Sequence, residues 1–124
     1  MTTIKVRRAG REMKISISGH SGYAPSGQDI VCAGISTLGQ TAAMMFAEME
    51  SVGDLELFTS EKSAGKLLLA IKAYKHTKAK AAGIYSFFCT GASLIADSYP
   101  ANVTFIVDDD LSSEAGRKTK INSL

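Results

Sequence analysis

The chain has 124 residues, 45% of them hydrophobic and 21% charged, with a formal net charge of +2. That composition fits one globular domain, long enough to bury roughly two thirds of its unfolded surface, and the charge is too small to argue for nucleic-acid binding by itself. No unbroken run of about eighteen apolar residues is present to span a membrane. The opening "MTTIKVRRAGR" lacks the apolar centre of a secretory signal, and two cysteines make no disulfide framework in a domain of this size. Reduced thiols and a cytoplasmic location are therefore expected.

The predicted elements start with a β-hairpin in "TIKVRRAGREMKISIS". Ile4 and Val6 alternate with polar residues, then Met13, Ile15 and Ile17 do the same, and Gly10 supplies the turn. Residues 19–28 hold Gly19, Gly22, Pro25 and Gly27, too many breakers for a regular element. The period then changes. Val31, Ile35, Leu38, Ala42, Met45 and Met49 step by three or four, which predicts the inner face of a helix running to about Ser51. Asp29 stands where the helix needs an N-cap, and Gly53 lies where it should stop. "LELFTSE" and "KLLLAIKAY" form a second hairpin. A second helix follows in "TKAKAAGIYSFFCTGASLIADSY", with Ile84, Phe88, Gly91 and Ile95 on one face and Pro100 at its end. "NVTFIVD" is the last strand. The order β-β-α-β-β-α-β predicts an α+β domain, a mixed sheet with two helices packed on it. It should occupy residues 1–108, with 109–124 a flexible tail of little apolar content.

The loop and helix start carry the candidate chemistry. With Asp29 as N-cap, Cys32 is the third helical residue, beside the unpaired N–H groups and positive dipole end of the first turn. Helix N-termini and neighbouring imidazolium groups favour the thiolate, which is the nucleophilic form. His20 follows a strand directly. If strand end and helix start lie side by side, its imidazole can take the thiol proton and later protonate a leaving amine. The first-turn amides, including those of Cys32 and Ala33, are candidate oxyanion donors. Asp29 either orients the imidazole or only caps the helix, and Ser36 lies one turn after Cys32 on the same face. The plain alternative is a small buried thiol after an ordinary turn, with a surface histidine nearby.

At these residues the chain resembles the ribosomal-processing cysteine protease family, Prp. The resemblance rests on Gly19, His20 and Ser21, then Asp29, Val31, Cys32, Ala33 and Ser36, and on the later "GASLIADSYPANVTF". It extends over most of the chain, except the acidic-then-basic tail. Ser21 departs from the pattern, in which alanine is commoner. The resemblance implies that Cys32 is a nucleophile and His20 its base. It also implies a peptide substrate: the N-terminal extension of a precursor of the large-subunit ribosomal protein L twenty-seven, cut after an aromatic residue. A homodimer and a loop that orders around substrate are implied as well, and relatives in phage genomes leave room for a virion substrate.

The remaining features read more plainly. Cys89, among the apolar residues of the second helix, is expected in the core. Lys72, Lys75, His76, Lys78 and Lys80 form a basic stretch that reads as a solvated connection. Its sharper reading, a non-enzymatic ribosome-associated binding module, predicts salt-dependent RNA binding. The stretch lacks interleaved aromatics, so no direct nucleic-acid contact is expected. Another thiol chemistry, such as acyl transfer, stays open from the residues alone. His20, Cys32, His76 and Cys89 fit no zinc spacing, and Asp108–Asp110 read as tail. The loop glycines match no nucleotide motif, so no metal or cofactor is expected. Tyr23, Met45 and Phe46 are candidates to line a groove for an aromatic side chain.

Overall fold

Alternation in four of the five strands places every second residue under a helical layer. The computed structural model describes residues 1–25 and 27–109. It contains β1 (Thr2–Ala9), β2 (Glu12–Gly19), α1 (Ile30–Ser51), β3 (Leu55–Ser63), β4 (Lys66–Ala73), a 3-10 turn (Lys75–Thr77), α2 (Lys78–Ser98) and β5 (Val103–Val107). The expected tail lies outside the described residues from position 110 onward.

The five strands form one mixed sheet in the order β3-β4-β2-β1-β5. Only β5 runs parallel to its neighbour, β1, because it returns after α2 rather than through a hairpin. The register aligns the apolar rows. Phe105, Ile4, Ile17 and Leu67 lie across one row, and Val107, Val6, Ile15 and Leu69 across the next. Both helices cover this one face, α1 towards β3 and β4, α2 towards β5, and they pack on each other. Lys5, Arg7 and Lys14 point to the opposite face and are exposed. The result is a two-layer α+β domain with the predicted element order.

Asp29 caps α1 by accepting the Cys32 N–H at 2.9 Å. Val52 is the C-cap, and Gly53 takes φ of 78°, the left-handed stop a helix end favours. α2 ends at Tyr99, in line with the restriction that Pro100 places on the residue before it. The buried face of α1 is Val31, Ile35, Gly39, Ala42, Phe46 and Met49. Two expected residues differ: Met45 is exposed and Leu38 only half-buried. From Ala42 the apolar step can run three or four residues. Packing on the sheet selects four, which seats the larger Phe46. On α2, Ile84 and Phe88 are buried as predicted, joined by Tyr85, Cys89 and Ala92, whereas Gly91 and Ile95 sit at the margin between the helices.

Both helices are long and apolar enough in composition to reach across a bilayer, although neither holds an unbroken apolar run. Here each lays its apolar face on the sheet. Further apolar residues, Met44, Met45, Phe87 and Leu94, lie on the outside of the helical layer.

Candidate active site

The site is built where β2 ends, the β3–β4 hairpin turns and α1 begins. Gly19 closes β2 at φ of 90°, its N–H donating to Gly65 O at 2.9 Å. A Cβ at Gly19 would run into the Met1 carbonyl oxygen, so β1 and the end of β2 can approach this closely only with glycine. His20 comes next. Its carbonyl accepts from the Met1 nitrogen at 2.6 Å, which ties the backbone of this exposed residue to the start of β1. Its ring lies over Gly65, whose added Cβ would fall 3.0 Å from His20 Nε2. The imidazole is thus laid against the β3–β4 turn by two glycines.

Cys32 and His20 line one cleft of about 220 Å³. Ile17, Ile35 and Leu67 give it an apolar floor. Ser36, Gln40, Lys62 and Lys66 add polar and cationic groups around it. Ile17 and Leu67 in turn pack down onto Gly39, where a Cβ would meet Ile17 Cδ1 at 2.7 Å and Leu67 Cδ2 at 2.9 Å. Thr2 also lines the cleft, and its buried Oγ1 has no hydrogen-bond partner among the described residues.

Within this cleft no hydrogen bond joins the imidazole to the sulfur among the described residues. The half-buried Cys32 Sγ instead meets Ser21. It accepts the Ser21 N–H at 3.3 Å and lies 3.4 Å from Ser21 Oγ, to which its S–H can donate. Ser21 is only 2% exposed. Its hydroxyl donates to Asp29 Oδ2, and its carbonyl accepts from Asn102 Nδ2 at 3.0 Å. The Tyr23 N–H, between these groups, lies 3.2 Å from Asp29 Oδ2 and 3.3 Å from Ser21 Oγ. The Asp29 carboxylate thus accepts from the Ser21 hydroxyl and from the Tyr23 and Cys32 N–H groups. The Ser21 hydroxyl above all, then the Cys32 N–H, hold its carboxyl well below the usual carboxylate range against the opposing effect of desolvation.

Two sequence expectations change here, and of the two roles open to Asp29 only the helix cap is formed among the described residues. Asp29 makes no hydrogen bond to His20 among the described residues: both its oxygens are spent on the helix start and on Ser21. The Cys32 and Ala33 amides are not free for an oxyanion, because Asp29 takes both, through Oδ1 at 2.9 Å and its backbone O at 3.1 Å. Nor do Tyr23, Met45 or Phe46 line the cleft. Tyr23 stacks edge-on against Tyr99 at 5.4 Å, Met45 faces outward and Phe46 is buried in the core. Ser36 does reach the cleft, its Oγ accepting from Gln40 Nε2 at 2.7 Å. The residue that sequence reasoning undervalued is Ser21. No local pattern marks it, since its partners lie eight and eleven positions ahead and meet it only through the path of the loop.

The other titratable groups lie elsewhere. Cys89 is buried in α2, and burial first, then the nearby Asp109 charge, push its thiol up to about 12. Tyr85 donates to Asp109 at 2.5 Å, and its burial raises it further still above the usual phenol range. In the basic stretch, Lys72 faces Glu56 at 3.3 Å, Lys80 faces Asp54 at 3.8 Å, and His76 stacks on Tyr74 at 5.7 Å.

Known structures share this architecture. A ribosomal processing protease Prp from S. aureus, in complex with a covalently linked product peptide, superposes with a TM-score of 0.68 at 18% identity, covering 87% of this chain and 100% of that one. The same S. aureus protease with a substrate peptide gives 0.63 at 17% identity over 87% and 100%. A Streptococcus mutans protein gives 0.62 at 24% identity over 89% and 96%. At these identities the likeness is one of fold. No curated protein sequence matches significantly. The family model for cysteine protease Prp matches residues 1–104, which include the whole loop from His20 to Cys32, the first four strands, both helices and the start of the last strand; the chain belongs to that family of cysteine proteases.

Proposed function

We propose that this protein is an endopeptidase in which Cys32 attacks a peptide carbonyl and His20 acts as general base and then general acid. The observation that carries this reading is the meeting of both residues in one apolar-floored cleft at the N-terminus of α1, in a chain of the Prp family. In the first step the S–H proton passes to an imidazole nitrogen and sulfur bonds to the carbonyl carbon. The carbon–nitrogen bond then breaks, and the imidazolium returns its proton to the leaving amine. Water, deprotonated by the same imidazole, releases the acyl group and restores the thiol. The sulfur now bonded to Ser21 must face the imidazole for the first transfer, so a small adjustment of the His20 segment on substrate binding belongs to this reading.

The substrate is a peptide, proposed to be the N-terminal extension of a precursor of the large-subunit ribosomal protein L twenty-seven, with an aromatic side chain taken by the floor of Ile17, Ile35 and Leu67. The S. aureus relative is a ribosomal processing protease and has been seen with peptide bound, which supports this choice. A cytoplasmic location follows from that substrate. The protein acts as a homodimer, joined through the apolar outer groove between the helices where Leu38, Phe87, Leu94 and Ile95 lie. The reading needs no direct nucleic-acid contact: two lysines of the basic stretch already face carboxylates, which weakens the case for a pure RNA-binding module.

The test is cleavage of a synthetic precursor peptide by wild type, Cys32→Ala and His20→Ala. Cleavage at one bond by wild type and none by Cys32→Ala is expected. Undiminished cleavage by either variant defeats the assignment of that residue.

A further inference from the structure

We propose that Ser21 is a positioning residue for the reaction: bound to Asp29, it holds the resting Cys32 sulfur as a protonated thiol until the base takes the proton. This rests on the protease reading for its purpose, though not for its physics.

The geometry is specific. A hydroxyl has one proton to give, and the Ser21 proton goes to Asp29 Oδ2. Towards Cys32, Ser21 Oγ therefore offers only lone pairs, at 3.4 Å, where the S–H can donate to them. A thiolate at the same place would face those lone pairs, with the Asp29 charge directly behind. The Ser21 N–H, 3.3 Å from the sulfur, holds it in either state. For the hydroxyl to serve a thiolate it would have to leave Asp29, and it is the foremost group holding that carboxyl low. Hydrogen bonds from a hydroxyl to a carboxylate oxygen are among the strong ones and sulfur is a weak acceptor, so the Ser21 hydroxyl keeps its proton turned towards Asp29. Ser21 is itself fixed, buried to 2% and held through its carbonyl by Asn102. The chain S–H to Oγ–H to carboxylate is thus built to favour the neutral thiol. It is not a route for the proton, because so weak a base as Asp29 does not accept one at neutral pH. On ionisation the thiol proton goes to His20, and the Ser21 hydroxyl keeps its own.

The other titratable side chains lining the cleft with Cys32 are His20, Lys62 and Lys66. The two lysines and the positive N-terminal end of α1 favour thiolate, and these groups and His20 are common to every variant compared below. The design has a consequence for reactivity: the resting Cys32 reacts with small electrophiles, but more slowly than it would without the Ser21 acceptor, and the imidazole is the group that takes its proton during turnover.

The experiment is alkylation of the full chain by iodoacetamide across pH 5–9, with Cys32 followed by mass spectrometry, in wild type, Ser21→Ala and Asp29→Asn. Ser21→Ala removes the acceptor and should move the rate profile to lower pH. Alkylation at pH 6 should rise about three- to tenfold, the fold-change that one ordinary net hydrogen bond represents. Asp29→Asn keeps an N-cap of equal rank and carries the test independently. It removes the charge and turns the Ser21 proton towards sulfur, so its shift should be larger in the same direction. The pH profile is the readout, because a merely structural role of Ser21 would not move it, and peptide cleavage by Ser21→Ala should continue, alanine being the commoner residue at this position in the family pattern. Profiles that coincide with wild type, or that move to higher pH, overturn the proposal. A wild type that cleaves no peptide defeats the protease reading alone, since the alkylation profiles are read without substrate.

Discussion

Gly19→Ala separates a conformational cost from a collision, with Gly10→Ala as its control. Both glycines have positive φ, 60° at Gly10 and 90° at Gly19. A left-handed backbone costs an L-residue roughly 1–2 kcal/mol, partly offset by the lower entropy of the unfolded alanine chain, about 0.4–1 kcal/mol. Gly10→Ala has nothing within 4 Å to collide with, so it should cost about 1 kcal/mol or less. At Gly19 the new Cβ meets the carbonyl oxygen of Met1, a backbone atom that no rotamer change can withdraw. Relief requires β1 and β2 to part at the Thr2–Gly19 pair. Overpacking of this kind adds roughly 1–3 kcal/mol, for a total of about 2–4 kcal/mol. Urea denaturation with equal m-values measures both. The total corresponds to a fall in Tm of several degrees per kcal/mol. The same displacement frees the His20 carbonyl from Met1 and carries the imidazole with it. Peptide cleavage should therefore drop more than tenfold in Gly19→Ala and stay within twofold in Gly10→Ala. Equal stabilities and equal activities of the two variants would refute the argument that close approach of the strands positions His20.

Other predictions follow from burial. In native protein only Cys32 should react with a thiol reagent near neutral pH, and Cys89 should appear on adding denaturant; two reactive thiols in the native state contradict the burial of Cys89. Because the folded Cys89 thiol is pushed above its ordinary range, the unfolded chain ionises first as pH rises, so stability should decline above about pH 8.5; the decline should be smaller in Cys89→Ala when melts are compared across pH. Thr2→Val removes a buried hydroxyl with no partner among the described residues and should leave thermal stability unchanged or raise it by about 1–2 kcal/mol; a clear loss would reveal an acceptor for that hydroxyl. Placing a charge in the outer helical groove, Phe87→Glu or Leu94→Glu, should convert the proposed dimer to a folded monomer in sedimentation equilibrium. An unchanged sedimentation profile moves the interface elsewhere.

The parts of the fold carried by periodicity were legible in the sequence. The alternation of Ile4, Val6, Met13, Ile15 and Ile17 marks the buried face of the first hairpin, and the change to steps of three and four after Asp29 marks α1. Asp29 reads as a cap because capping is a local transaction between a carboxylate and an amide three residues on. What was not legible depends on distant partners. The place of Phe46 rather than Met45 in the core is settled by the sheet beneath the helix. Gly39 is not part of the apolar stripe, which has Leu38 at this turn, yet it is buried because Ile17 and Leu67 occupy the space a side chain would need. The loop residue Ser21 looks like a neutral exchange for alanine until the loop folds it between Asp29 and the sulfur. The first-turn amides looked available for catalysis, but the capping that makes Asp29 recognisable is also what occupies them.

The central claim is that the Cys32 sulfur forms a covalent bond to the substrate carbonyl with the help of His20. Acid quenching during turnover of a precursor peptide, followed by intact-mass and fragment-mass analysis, tests it directly. An acyl thioester on Cys32 that carries the N-terminal fragment is expected in wild type and should not accumulate in His20→Ala. Steady turnover with no acyl adduct, or an adduct on any other residue, would contradict it.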